Sequence, residues 1–151
     1  MRRKEREITG CDELIAVLEH CFTCRVALCD GDYPYIVPMN YGVKAEADGV
    51  CLYFHGASEG KKMDLLRQNP KVGFEVDRHE PYEAGSLTSK YESVVGVGEL
   101  SVVTDADEKD TAIRIITEHY EIAFTQDFAA CMPQTTILKL TVKSMTGKRN
   151  L

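Results

Sequence analysis

The stretch FHGASEGKKMDLL, residues 54–66, passes from the end of an apolar run into a helical pattern. Its chemistry-bearing residues are His55, Lys61 and Lys62. Both lysines fall in the first turn of the expected helix, where peptide dipoles sum to about +0.5 of an elementary charge and N–H groups lack partners. Cations there lose ~0.3–1 kcal/mol each, and Glu59 offsets part of that loss. Solvated surface lysines are one reading. The flanking residues favour another, because Gly56 and Gly60, with Ala57 and Ser58 between them, form a loop poor in side chains. Such a loop lets backbone N–H groups reach a ligand. Small residues, a helix start and two cations together suit a phosphate, although the spacing matches neither GxxxxGK[ST] nor GxGxxG.

His55 ends a strand just ahead of that loop. It reads either as a hydrogen-bonding residue in a half-buried position or as a donor and proton relay near neutral pH. A second feature is YPYIVPMNYG, residues 33–42. Proline cannot donate to a strand ladder, so Pro38 marks an edge or a bulge. Backbone groups freed there can bond something flat and polar-edged, and Asn40 adds a donor and an acceptor. Protection of a sheet edge accounts for Pro38 as well. His20, His79 and His119 read as surface residues, and no carboxylate pair or Ser/His/Asp spacing suggests hydrolysis.

The cysteines stand at 11, 21, 24, 29, 51 and 131, and only Cys21 and Cys24 have CxxC spacing. A structural zinc site needs a second pair or a histidine pair. A redox CxxC opens a helix, whereas this one closes a helix and enters a strand. Structural thiols are the favoured reading.

These residues need elements to hold them. Thr9 and Asp12 are spaced like a capping box ahead of a helix over 12–20. Strands are expected over 24–29, 35–44, 50–54, 72–76, 91–103 and 136–142, with turns at Asp30-Gly31-Asp32 and Asp48-Gly49. A helix over 60–69 stops at Pro70, and an acidic-capped helix runs from Asp105 to about Ala123 with Ile113, Ile116 and Tyr120 on one face. Residues 80–88 read as a loop, and Gly96 and Gly98 suggest a bulge or a close approach within their strand. Six strands with few helices point to an antiparallel barrel rather than a βαβ sheet.

The chain has 151 residues, enough for one domain that buries roughly 68–70% of its unfolded surface. No apolar run is long enough for a membrane span, and the polar, basic start MRRKEREITG is no signal peptide. A formal charge of −6 argues against nucleic-acid binding. These features point to a soluble, cytoplasmic protein.

The order PYIVPMN, LYFHGASEGKKMDLLRQNP, YESVVGVGE resembles the pyridoxamine-phosphate-oxidase-like split barrels, above all their nitroimidazole-resistance (Nim-type) branch. The resemblance covers nearly the whole chain, from MRRKEREI to MTGK. It implies a mostly β fold, a six-stranded antiparallel split β-barrel with flanking helices, as a single domain over 1–151. It implies FMN as cofactor, with Lys61 and Lys62 on its phosphate at the family's distance before Asn69-Pro70. The ring would lie along Ile36, Val37, Pro38, Met39, Asn40 and Tyr41, with His55, Gly56, Ala57 and Gly60 lining the site. Ser93 stands near where the oxidases carry a glutamine that reaches the flavin across a dimer interface. The oxidases' ring-binding strand is basic whereas this one is apolar, and their C-terminal substrate-phosphate residues have no match, so vitamin B6 oxidation is set aside. The implied activity is FMN-dependent reduction of a small oxidised substrate, such as a nitroimidazole or nitroaromatic, by NAD(P)H. His55 would be the catalytic residue of a homodimer with flavin at its interface. The alternatives are a flavin- or haem-binding module without turnover and a CxxC thiol-redox protein.

Overall fold

Apolar residues alternate with polar ones along most of the chain, and that period of two builds strands with one face inward. The computed structural model describes residues 3–47, 49–82, 85, 89–125 and 135–150. After a 3-10 turn at Lys4–Arg6 come β1 (Glu7–Ile8), α1 (Cys11–His20), β2 (Cys24–Asp30), β3 (Tyr33–Met39), β4 (Tyr41–Glu46) and β5 (Gly49–Gly56). Then follow α2 (Lys61–Gln68), β6 (Lys71–His79), β7 (Tyr91–Val102), α3 (Ala106–His119) and β8 (Thr136–Asn150). The strands form one sheet in the order β3-β2-β6-β7-β8-β5-β4, with β1 on β8, and every pairing is antiparallel. Curled on itself, this sheet is a split barrel filled by Val26, Leu28, Tyr41, Leu52, Phe54, Val76 and Leu140, all fully buried. A second cluster of Tyr53, Ala112, Ile113, Ile116 and Ile137 seats α3 on the barrel's outer wall.

Among the described residues eight strands stand where six were expected, through one short addition and one division. The addition is β1, two residues that pair with the end of β8. The division falls at Asn40, because the expected 35–44 strand serves two sheet edges. Its first part pairs with β2 and its second with β5, so the chain turns a corner between them. The last strand runs 15 residues, far past Val142, and includes the polar SMTGKRN segment. Pairing with β7 on one side and β1 on the other overrides the weak strand propensity of that segment.

Local signals fared unevenly. Asp105 caps α3, accepting from the Glu108 N–H at 2.8 Å, although the helix ends at His119 rather than near Ala123. The expected capping box at Thr9 and Asp12 does not form. Gly10 takes the capping position, and Asp12 instead lies in the first turn, where it complements the helix dipole. A bulge sits between Val97 and Gly98, and the Phe74 ring lies against Gly96, so the glycines of this strand serve both expected purposes. Cys131, Asp48 and residues 83–84 and 86–88 of the expected loop lie outside the described residues.

Candidate functional site

Strand β5 delivers His55 and Gly56 to its end, four exposed or loosely packed residues follow, and α2 begins at Lys61. The entry is shaped by Gly60, at φ 105° and ψ 172°, a backbone region open to glycine almost alone. Its carbonyl accepts from the Met63 and Asp64 N–H groups at 2.8 and 3.1 Å. No side chain caps this helix, although Asp64 places a carboxylate in its first turn.

The two lysines have separate fates. Lys61 Nζ lies 2.5 Å from Asp30 Oδ2 and 4.9 Å from the centre of the Tyr35 ring. Its hydrogen bond with Asp30 holds its ammonium above the usual lysine range. Lys62 turns back over Gly56, so near that a Cβ there would meet Nζ at 2.9 Å. Its one hydrogen-bond partner among the described residues is the Met39 thioether at 3.6 Å, and burial alone pushes its pKa down. A half-buried ammonium whose best acceptor is a sulfur atom is poorly solvated and has no counter-charge among the described residues. The glycine at 56 is what gives it room.

The Met39–Lys62 contact also joins the loop to the end of β3, so Met39, Gly56, Gly60 and Lys62 share one neighbourhood. Ile36, Pro38 and Asn40 are exposed on the outer side of that edge strand, while Val37 packs inward. Pro38 thus sits where an edge needs it. Tyr41 does not join them. Its ring is fully buried, its hydroxyl donates to the Leu18 carbonyl at 2.5 Å, and its N–H donates to the Tyr120 hydroxyl at 3.1 Å. Ala57 is exposed in the loop, and His55 is exposed rather than half-buried, with no hydrogen bond from the described residues holding its ring. Ser93 lies on β7, opposite Asp77 and Lys148, and its hydroxyl donates to the Lys148 carbonyl at 3.5 Å. Three strand steps separate β7 from β3, which is about 14 Å at the usual spacing, so one chain does not bring Ser93 to the lysines.

Cys21 and Cys24 are buried, and burial pushes their thiols up to about 11 and about 12. Thiols so far from ionising are poor nucleophiles, in keeping with a structural role. Among the described residues no group of three His, Cys, Asp or Glu is placed to hold a metal ion. None of the described helices is long and apolar enough to cross a membrane.

Two features escaped the sequence. Asp30 read only as the start of a turn, with nothing to tie it to Lys61. His119 read as a surface residue, yet it is half-buried, and its Nε2 donates to the Cys21 carbonyl at 2.7 Å. Its neighbour Tyr120 donates to the Phe22 carbonyl while accepting the Tyr41 N–H, so the end of α3 is pinned beside Asn40. The apolar spacing that placed Tyr120 on a helix face carried no sign of these bonds.

Solved structures and sequence families share this architecture. A candidate 5-nitroimidazole antibiotic resistance protein from Bacteroides thetaiotaomicron is 28% identical, with a TM-score of 0.79 over 95% of this chain and 86% of its own. An FAD-binding protein from Mesorhizobium loti is 22% identical, with a TM-score of 0.69 over 95% of this chain and 96% of its own. A flavocytochrome from Azotobacter vinelandii is 15% identical, with a TM-score of 0.77 over 100% of this chain and 72% of its own. The latter two likenesses are of fold alone. No curated protein matches the sequence. The sequence model of pyridoxamine 5'-phosphate oxidase matches residues 11–149, nearly the whole of the described barrel, and the chain belongs to that family.

Proposed function

We propose that the protein binds FMN, with the phosphate at the 56–62 loop and the ring along the outer side of β3, and acts as an FMN-dependent oxidoreductase. The observation that carries this reading is Lys62, a half-buried ammonium without a counter-charge beside uncapped helix amides. A phosphate there satisfies the lysine and the amides together. The FAD named for proteins of the same fold supports flavin binding, and the haem named for one of them fits the alternative of a binding module.

FMN held there would supply the redox chemistry between reduced nicotinamide and a small oxidised substrate such as a nitroimidazole. The chain's own residues bind and orient. Lys62 and the amides of α2 fix the phosphate, and Ile36, Pro38 and Asn40 offer the ring an apolar surface with one polar side chain. His55, exposed beside Gly56, is free to donate a hydrogen bond or a proton at the mouth of the loop.

The reading includes a homodimer. The outer face carries exposed Ile36, Val95 and Val97, at 58%, 50% and 52% of full exposure. Ile36, Ala27, Gly73 and Val97 lie in one row across four strands. A second copy on this apolar row would cover it and bring its Ser93 toward the flavin. The test is titration of the flavin-free protein with FMN and riboflavin, followed by NADH or NADPH oxidation with a nitroimidazole as acceptor. FMN should bind at least tenfold more tightly than riboflavin, because only FMN carries the phosphate. Equal affinities would refute the phosphate site, and tight FMN binding without nicotinamide oxidation would leave a binding module in place of an enzyme.

A further inference from the structure

Asp30 ends β2 and opens the turn into β3, whose next residue, Gly31, has φ 61°. Its carboxylate holds Lys61 Nζ at 2.5 Å, and the same ammonium lies over the Tyr35 ring. Lys61 is therefore not waiting for an anion in the free protein. It already has one, supplied from another element of the same chain. Lys62, one residue on, has none.

We propose that Asp30 is an internal competitor for the phosphate site: it occupies Lys61 in the free protein and must release that lysine before both cations can engage a phosphate monoester. The inference rests on the reading of the 56–62 loop as a phosphate site. The exchange is feasible because the pair is exposed, with 54% of the lysine and 36% of the aspartate side chain in solvent, so water screens it. A phosphate monoester carries more charge and more acceptor oxygens than a carboxylate, so it displaces Asp30 once Lys62 and the helix amides have captured it. Asp30 thereby lowers affinity for phosphorylated ligands alone. A ligand without the phosphate never calls on Lys61 and is indifferent to Asp30.

Replacing the carboxylate while keeping its shape tests this. Asp30→Asn should tighten FMN binding by about two- to fivefold, the range that an exposed pair can contribute, and leave riboflavin binding unchanged. The same substitution in a Lys61→Ala background should produce no gain, because no lysine remains to be freed. Unchanged or weaker FMN binding by Asp30→Asn overturns the competition and makes Asp30 a positioning residue for Lys61. An equal gain in the Lys61→Ala background also overturns it, since a general charge effect then suffices. The cofactor reading fails separately: FMN affinity that Lys62→Met does not alter removes the phosphate site, and Asp30's role with it.

Discussion

Lys62 bears its charge at a cost to the fold, because burial holds its pKa below that of an unfolded lysine. The sign follows from proton counting. Below both pKa values the lysine is charged in both states and its burial opposes folding; between them the unfolded chain binds more protons, so stability rises with pH. Lys62→Met keeps the length and removes the charge. It should raise or preserve the melting temperature of the flavin-free protein, abolish that alkaline rise, and weaken FMN binding more than tenfold. A variant that is both less stable and unaltered in FMN affinity would make Lys62 a structural residue. His55 calls for the reverse pattern. Being exposed and without a hydrogen bond, its replacement by Ala should leave melting and FMN affinity nearly unchanged. Flavin reoxidation by a nitroimidazole should slow by about 10²-fold, the scale of a lost general acid. A normal single-turnover rate would end the catalytic assignment.

At the scale of elements, three helices follow strands, and they do not begin alike. α3 starts on a capping aspartate, whereas α1 and α2 each start on a glycine with no side-chain cap. A bare start leaves amide N–H groups for an anion, and what distinguishes α2 from α1 is Lys62, whose ammonium has no counter-charge among the described residues. The other end of α3 has a different duty. The Tyr120 hydroxyl lies between the Tyr41 N–H and the Phe22 carbonyl, beside the corner at Asn40. Tyr120→Phe keeps the ring and deletes both bonds, leaving a part-buried N–H unpaired. Urea denaturation should register a loss of about 1–3 kcal/mol. No loss would mean that the corner is held by the barrel pairing alone.

For the whole molecule, the proposed flavin site would be incomplete in one chain. The lysine loop and β3 lie together, whereas Ser93 is three strands away on the same outer face. If two copies meet over the Ile36-Ala27-Gly73-Val97 row, a charge placed there should separate them. Val97 is half-exposed, so Val97→Lys costs the isolated barrel little. Light scattering should then give a monomer mass, and FMN affinity should fall as the partner's contribution is lost. A Val97→Lys protein that stays dimeric would place the interface elsewhere.

What the sequence determined was local. The glycines at 56 and 60, the lysine pair, the stop at Pro70 and the bulge at Gly98 were legible because each reflects a backbone demand met within a few residues. The acidic cap of α3 belongs with them. Tertiary structure decided what depended on distant partners. It gave Lys61 to Asp30 and left Lys62 with Met39, although the two lysines are neighbours of one type. It divided 35–44 at Asn40 because two different edges claimed the two halves, and it extended β8 because two strands paired with a segment of weak propensity. It tied Tyr120 to Tyr41 across 79 residues and His119 to Cys21 across 98. Short-range spacing encodes backbone conformation, but the partner of a charge or a hydroxyl is set by the register and curvature of the closed sheet, which no local pattern carries.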